Sequence, residues 1–462
     1  MPESSSQDPY QPPSADLNQV SENLIDPSVA GEAAQEKDRA RWQITILLTM
    51  YVGYAAFMLC RNTLGASSAA MIEDPELAMG TAEYGRLMSW HSAGAIVGKL
   101  FTGIGADVLG GRRMFMIALS LTALANVGFA FSTSLTTMGI FNFLGQFFKA
   151  GGWPAMTKLV AEWYPQRKYG QVWSVISTSS RVGTICAGVL TGLLLAVIPW
   201  RMVFILSAVV TLFVVVGIYF LLKDRPESVG LPALPPEAID DNATSREHPL
   251  DAVTAAGALL KFAASARFWL ICLGICFLCI LMDFINFIPV YFQEVLSISA
   301  SKASMAGTAF PTGMFVALLA TSLLYDRLSK GQLVAVLGGL LGLGCLCVVG
   351  LWNFALLGLP DSLNVPAAMA LVFVFGFAIS PAYYIPMSIF AVKFGGKHAG
   401  FLVAIIDVFG YGGALLFNFF GGSISEQYGW NVFLIGLLSI AVAATITMTG
   451  FLLLDYRAKS VS

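Results

Sequence analysis

Between residues 42 and 455 the chain is a succession of apolar stretches about twenty residues long, separated by short polar breaks. A hydrocarbon layer about 30 Å thick is crossed by roughly 20 helical residues. Backbone inside it must satisfy its own hydrogen bonds, which confines spanning segments to helices or closed barrels. The apolar residues here follow a helical period and do not alternate, so the stretches read as transmembrane helices. Composition agrees: 56% of residues are hydrophobic and 12% are charged, against about 25% charged in an ordinary soluble domain.

Twelve spans are expected, at 42–67, 84–107, 112–131, 137–162, 170–198, 200–222, 267–296, 303–325, 331–352, 364–392, 398–424 and 429–455. They fall into two six-helix bundles, 42–222 and 267–455, joined by a polar central loop at 223–266. Residues 1–41 are polar, acidic and rich in Pro and Ser, without a cleavable signal pattern; they read as a disordered cytoplasmic tail. Residues 456–462 form a second, short tail. The fold class is therefore an all-α membrane protein of twelve helices in two halves.

Charge placement gives the orientation. Of the 26 lysines and arginines, 18 fall on the side of the termini, three (Arg86, Arg201 and Lys302) on the other side, and five inside spans. Positive charge accumulates in cytoplasmic loops, so both termini are expected inside a cell membrane, the bacterial inner membrane being the expected one. The seven cysteines all lie in apolar runs. Cys272, Cys276 and Cys279 share a helical spacing but have no histidine or carboxylate beside them, so buried thiols are expected and no metal. The glycines at 338, 339, 342 and 344 lack the Gly-Lys-Ser/Thr ending of a nucleotide loop and read as helix packing. No nucleophile–base pair stands in the spans, so no enzyme activity and no cofactor are expected. A net charge of −2 gives no footing for a nucleic-acid partner.

A short motif recurs at equivalent places in the two halves. Gly103 and Asp107, followed by Gly110, Gly111, Arg112 and Arg113, separate spans two and three; Asp326, Arg327, Lys330 and Gly331 separate spans eight and nine. A carboxylate at a helix end next to basic residues can pair across an interface and release when helices move, so Asp107, Arg112, Asp326 and Arg327 are gating candidates. Ordinary charge decoration of a glycine turn is the plainer alternative. Two parallel halves with a midplane site are the major facilitator arrangement.

Several stretches then carry a family resemblance. They are Tyr51, Tyr54, Arg61 and Asn62 in span one, and Gly98, Lys99, Gly103 and Asp107 closing span two. Gly152, Trp153 and Pro154 stand in span four, with Trp163, Tyr164 and Pro165 after it. Trp173 opens span five; Asp224, Pro226, Gly230, Leu231 and Pro232 open the central loop; Phe409 to Gly413 lie in span eleven. The chain resembles the organophosphate:phosphate antiporter family of the major facilitator superfamily, which includes glycerol-3-phosphate antiporters and glucose-6-phosphate translocases. The resemblance covers about residues 42 to 440.

Charges inside the spans are the candidate site, since each costs at least about 2.5–3.5 kcal/mol at mid-bilayer. The resemblance implies that Arg61 and Lys99 line the cavity and meet a phosphoryl group. Read from spacing alone, Arg61 follows Tyr54 and Met58 on one helix face, and Lys99 shares a face with Ala95, Gly103 and His91. Lys149 stands in a stripe with Asn142, Gly145 and Trp153; Arg181 stands among Ser174, Ser177, Thr178 and Thr184. The family pattern has a second cation in span seven, where this chain has Leu281, and Arg181 or Lys149 is expected to replace it. In the glycerol-3-phosphate branch a histidine precedes the position of Arg181; here that residue is Ser180.

The substrate-binding set is thus Arg61, Lys99, Lys149, Arg181, Tyr54, His91, Trp153 and Tyr411, the aromatics with Phe409 packing a carbon skeleton. Asp283 and Asp407 are candidates for coupling. A mid-membrane carboxylate can hold a proton or pair with a cation; Asp283 is open between the two, and Asp407 reads foremost as a structural partner. Arginine offers two parallel donors to a phosphate or carboxylate. The function expected is exchange or ion-coupled transport of a small organic anion, with inorganic phosphate or a proton as counter- or co-ion, by a monomer in the bilayer. The alternative is a transporter-like sensor that binds the anion and signals to a partner.

Overall fold

The computed structural model describes residues 27–234, 250, 253–324 and 327–457. Among them there is no strand. Nine described helices are long and apolar enough to cross a membrane. Two further spans fall short of that measure for visible reasons. Span two (Thr81–Leu109) carries Glu83, Arg86, Lys99 and Asp107, and span four is broken into Leu135–Lys149 and Gly152–Trp163. The last of the nine, Ala399–Arg457, is two spans run together, 399–428 and 430–457, with Gly429 at φ 80° between them. Twelve spans result. The others are span one (Pro27–Ala66), three (Gly111–Ala130), five (Tyr169–Leu195), six (Trp200–Leu221), seven (Ala266–Asp283, then Ile288–Leu296), eight (Ala300–Gly307, then Ala309–Leu324), nine (Lys330–Trp352) and ten (Asp361–Gly395).

Span one starts earlier than the sequence reading puts it. Its helix begins at Pro27, so 27–41, expected as part of a disordered tail, are helical. Ala34, Gln35, Glu36, Lys37, Ala40 and Arg41 are strong helix formers, which explains the extension. Arg39 donates to the carbonyl of Pro232 at 2.8 Å, tying this helix to the central segment. That segment, expected as a loop, holds a 3₁₀ turn at Pro226–Val229 and a helix at Ala255–Ala263. Span twelve runs to Arg457, into the short tail expected from 456. Residues 1–26, 235–249, 251–252 and 458–462 of the expected tails and loop lie outside the described residues.

Lipid tails offer no hydrophobic drive between helices, so packing rests on close backbone approach at small residues. Gly94 and Gly98 of span two lie against the backbone of Phe143 and Phe147 in span four, and Gly313 and Gly376 serve the pair of spans eight and ten in the same way. Gly183 lets span five meet span one at Ala55; Gly410 and Gly413 let span eleven meet span seven at Cys279 and Cys276. Each half therefore repeats the other's contacts. Of the thiols expected to be buried, Cys60, Cys272, Cys279 and Cys347 are, Cys276 and Cys345 are half-buried, and Cys186 is exposed.

The halves join along two seams. Span two runs antiparallel to span eleven: Ala82 N–H donates to Glu426 at 2.7 Å, Gly85 abuts Asn418 and Gly422, and Ser89 donates to the Leu415 carbonyl at 3.2 Å. Span five meets span eight, where Ser304 and Ser301 donate to the carbonyls of Gly188 and Gly192 at 3.1 and 2.7 Å. Both seams lie toward the end of the bundle away from the chain's described termini. Toward the other end Thr157, Ser174 and Ser388 are exposed, each hydroxyl donating to a carbonyl of its own helix.

A methyl group at Gly85 would meet the Asn418 carbonyl and stand 3.1 Å from the Gly422 Cα. Gly85→Ala should therefore lose about 1–3 kcal/mol through overpacking. Gly217→Ala, which meets nothing within 4 Å, should leave stability unchanged. Thermal melting of the two purified variants reads the difference.

Candidate functional site

Four mid-span cations face the space between the halves. Arg61 donates its Nε–H to His91 Nε2 at 3.2 Å. Guanidinium nitrogens only donate, so Nε2 accepts and the imidazole proton stands on Nδ1. That Nδ1 is buried and has no hydrogen-bond partner among the described residues. Span one also carries Tyr54, whose ring packs edge-on against Trp153 at 5.6 Å; Trp153 in turn lies 4.8 Å from Trp173. Trp153 is 41% exposed.

Lys149 is the last residue of the upper helix of span four, where the helix dipole favours a cation. The break that follows it comes from Gly151, Gly152 and Pro154: the proline has no N–H to give the carbonyl one turn back. Its ammonium lies 5.9 Å from the centre of the Tyr54 ring, and it has neither ion pair nor hydrogen bond among the described residues.

Arg181 is buried and turned toward the other half. Its guanidinium lies 4.2 Å from the Tyr384 ring of span ten, and Nη1 donates to the Ser177 carbonyl at 2.9 Å and to Ser180 Oγ at 2.7 Å. Nη2 is buried without a partner among the described residues. Arg61 and Arg181 both act electrostatically on Tyr54 and on Tyr384. Leu281, where the family pattern has its cation, is 1% exposed within the apolar core of the C-terminal half.

The two carboxylates are already engaged. Asp407 of span eleven pairs with Lys99 of span two, and the Lys99 ammonium also stands 4.6 Å from the Tyr411 ring. Asp283 ends the first helix of span seven, where Pro289 interrupts the ladder and leaves a 3₁₀ turn at Phe284–Asn286. It accepts from Asn418 Nδ2 at 2.8 Å, and the same amide donates to Ser92 of the other half at 3.3 Å. Four cations therefore face two carboxylates, and Arg61, Lys149 and Arg181 have no carboxylate in ion-pair contact among the described residues.

Of the gating candidates, Asp107 binds Lys158 of span four at 2.9 Å. Arg112 instead donates to the Tyr219 carbonyl at 2.6 Å and its backbone N–H to Asp224 at 3.0 Å, because the turn at Gly110 points it toward span six. The Asp107–Lys158 pair is exposed and within one half, and such pairs contribute about 0–1 kcal/mol. Asp326 lies outside the described residues, and Arg327 is exposed.

Tyr384, with its neighbour Tyr383, and Asn418 did not emerge from the sequence reading. A signal for the tyrosines exists: a polar pair bracketed by Pro381 and Pro386 inside an apolar span. Asn418 is fully buried in a run of phenylalanines and glycines, and only its contacts identify it.

The Major Facilitator Superfamily model matches residues 50–359. A probable hexose phosphate transport protein of Chlamydia muridarum is 25% identical over 426 residues, 88% of this chain and 91% of that protein. The membrane sensor protein UhpC of Escherichia coli is 25% identical over 413 residues, 87% of this chain and 90% of its own length. Among solved structures, a D-xylose–proton symporter superposes with a TM-score of 0.66 over 88% of this chain and 97% of that one at 16% identity, a likeness of fold.

The orphaned Nη2 of Arg181 calls for an anionic acceptor. Hydrogen bonds to charged groups contribute about 1.5–3 kcal/mol, so Arg181→Ala should weaken binding of an anion such as inorganic phosphate by about tenfold or more. Calorimetric titration of the purified variant measures it, and unchanged affinity removes Arg181 from the site.

Proposed function

The chain belongs to the Major Facilitator Superfamily, and from that premise we propose that it is a secondary active transporter of a small organic anion. The substrate class is a phosphorylated metabolite such as a sugar phosphate or glycerol 3-phosphate, moved by alternating access of a midplane site. One observation carries the reading: four basic side chains against two carboxylates between the halves of a membrane bundle, an excess that an anion would balance. Relatives from the organophosphate branch, a hexose phosphate transport protein among them, support the substrate class.

Arg61 supplies the planar fork for a phosphoryl group, held in orientation by His91. Lys149 and Arg181 complete the cationic wall, so the N-terminal half grips the anion. Lys99, Tyr384 and Tyr411 face it from the seam and from the C-terminal half, while Tyr54 and Trp153 pack the carbon skeleton. Inorganic phosphate or a proton is the counter- or co-ion, with Asp283 the candidate to carry the proton. The skewed distribution of lysine and arginine orients both termini to the cytoplasm. The chain acts as a monomer.

A second reading is a sensor that binds the same anion and signals without moving it; the relation to a membrane sensor protein supports it. Uptake of labelled glucose 6-phosphate or phosphate into vesicles that hold only this protein separates the two. Transport makes it a carrier, and binding without uptake makes it a sensor.

Arg61→Lys should abolish uptake and weaken anion binding by about tenfold or more, because a point ammonium cannot reproduce the bidentate fork. Parent-like affinity and uptake in that variant would remove Arg61 from its assigned role.

A further inference from the structure

We propose that the N-terminal half carries a site for an anionic glycerophospholipid, on the outer surface of spans three and six and apart from the space between the halves. The proposal goes beyond the transport reading and does not depend on it. It uses only the orientation of the bundle.

The site is a groove of about 520 Å³ between the two helices, within the about 300–1,000 Å³ common for ligand sites. Met116, Ile117 and Leu121 of span three form one wall, and Val216, Tyr219 and Phe220 of span six the other. The lining is aliphatic and aromatic apart from Ser120. Residues four apart share a helix face, so the span-three wall is one stripe. It starts at Arg112 and Arg113, passes through Met116 and Ile117, and ends at Ser120 and Leu121. At 1.5 Å per residue the stripe runs about 13 Å, close to the about 15 Å of hydrocarbon in one leaflet. An acyl chain can lie along it, and the arginines then stand at the level of the headgroup. By the orientation proposed above, that leaflet is the cytoplasmic one.

Arg112 is held ready for a ligand. Its Nη2 donates to the Tyr219 carbonyl at 2.6 Å, and its guanidinium carbon stands 5.4 Å from the centre of the Tyr219 ring. That carbonyl belongs to the last turn of span six, where a cation also suits the helix dipole. Nε has no partner among the described residues. Arg113 is exposed and has no ion pair among them. Lys223 follows just past the end of span six.

Two carboxylates lie close by in sequence, and both are engaged. Asp224 accepts the backbone N–H of Arg112 at 3.0 Å, and Asp107 pairs with Lys158. Arg112, Arg113 and Lys223 against Asp224 leave the mouth of the groove positive. A phosphodiester takes charge-assisted hydrogen bonds from arginine, whereas the ammonium of a zwitterionic headgroup is repelled there. Basic pockets between spans on the cytoplasmic side recognise anionic headgroups in this way. The apolar groove and the basic mouth therefore match the two ends of one molecule. Seated there, the lipid braces spans three and six from outside the bundle.

The test uses the purified full chain in detergent and two probes with identical acyl chains, phosphatidylglycerol and phosphatidylethanolamine. Native mass spectrometry reads the lipid retained at each concentration. Phosphatidylglycerol should bind about tenfold more tightly than phosphatidylethanolamine, as one charge-assisted hydrogen bond predicts. Arg112→Lys combined with Arg113→Gln keeps a donor for the Tyr219 carbonyl and removes both guanidinium groups; it should erase the preference. Ile117→Trp fills the groove, leaves the charges in place and should weaken both lipids. Ile446→Trp, on the exposed face of span twelve, should change neither. Equal affinity for the two lipids in the parent overturns the proposal, and so does a preference that survives loss of both guanidinium groups. If excess inorganic phosphate strips the lipid while Ile117→Trp binds like the parent, the arginines hold a free anion and the lipid site is refuted.

Discussion

A lysine or arginine in the middle of a bilayer must face water or a polar partner, and Arg61, Lys99, Lys149 and Arg181 all stand at mid-span. That requirement sets the rotation of spans one, two, four and five about their own axes. Once the cations face the interior, the opposite faces are fixed as well. Gly94 and Gly98 then fall against span four and Gly183 against span one. In hydrocarbon the backbone satisfies itself within each helix, so breaks cluster where a cavity or a neighbour takes over the freed groups. The interruptions after Lys149 and Asp283 are of this kind, and each puts a charged side chain at the cavity wall.

The two halves repeat each other in packing but not in charge. Spans one and five pair as seven and eleven do, and the seam of two with eleven is matched by that of five with eight. All four cavity cations belong to the N-terminal half, while the C-terminal half contributes Asp283, Asp407 and a set of tyrosines. Charge of one sign therefore stands on one side and carboxylates with aromatic surface on the other. Attraction alone then cannot draw the halves together symmetrically, which gives the Lys99–Asp407 pair its weight, since it is the ion pair described between the halves. Leu281 is buried in the apolar core, and the Arg181 guanidinium of the N-terminal half stands over the Tyr384 ring of span ten.

Much of this was legible in the chain itself. Apolar length and period give twelve helices, because hydrocarbon thickness and backbone hydrogen bonding leave few alternatives. Scarcity of charge in those runs singles out the site cations, because burial in lipid is costly enough that each needs a purpose. The start of span one was not legible: polar residues 27–41 signal exposure, but exposed residues of high helix propensity can continue a helix that a span has already nucleated. The pairing of Asp107 was not legible either. The turn at Gly110 sends Arg112 to span six, and Lys158 of span four is the partner.

Composition and period thus determined the solvent, the number of helices, the two-half plan and which charges fall inside spans, since these depend on each segment's own transfer from water to lipid. Partners were decided only by tertiary structure: His91 for Arg61, Tyr384 for Arg181, Asn418 for Asp283, Asp407 for Lys99. Helical spacing says which residues share a face, but a contact between helices hundreds of residues apart depends on the rotation and register at which their backbones meet, and those follow from how all twelve pack at once.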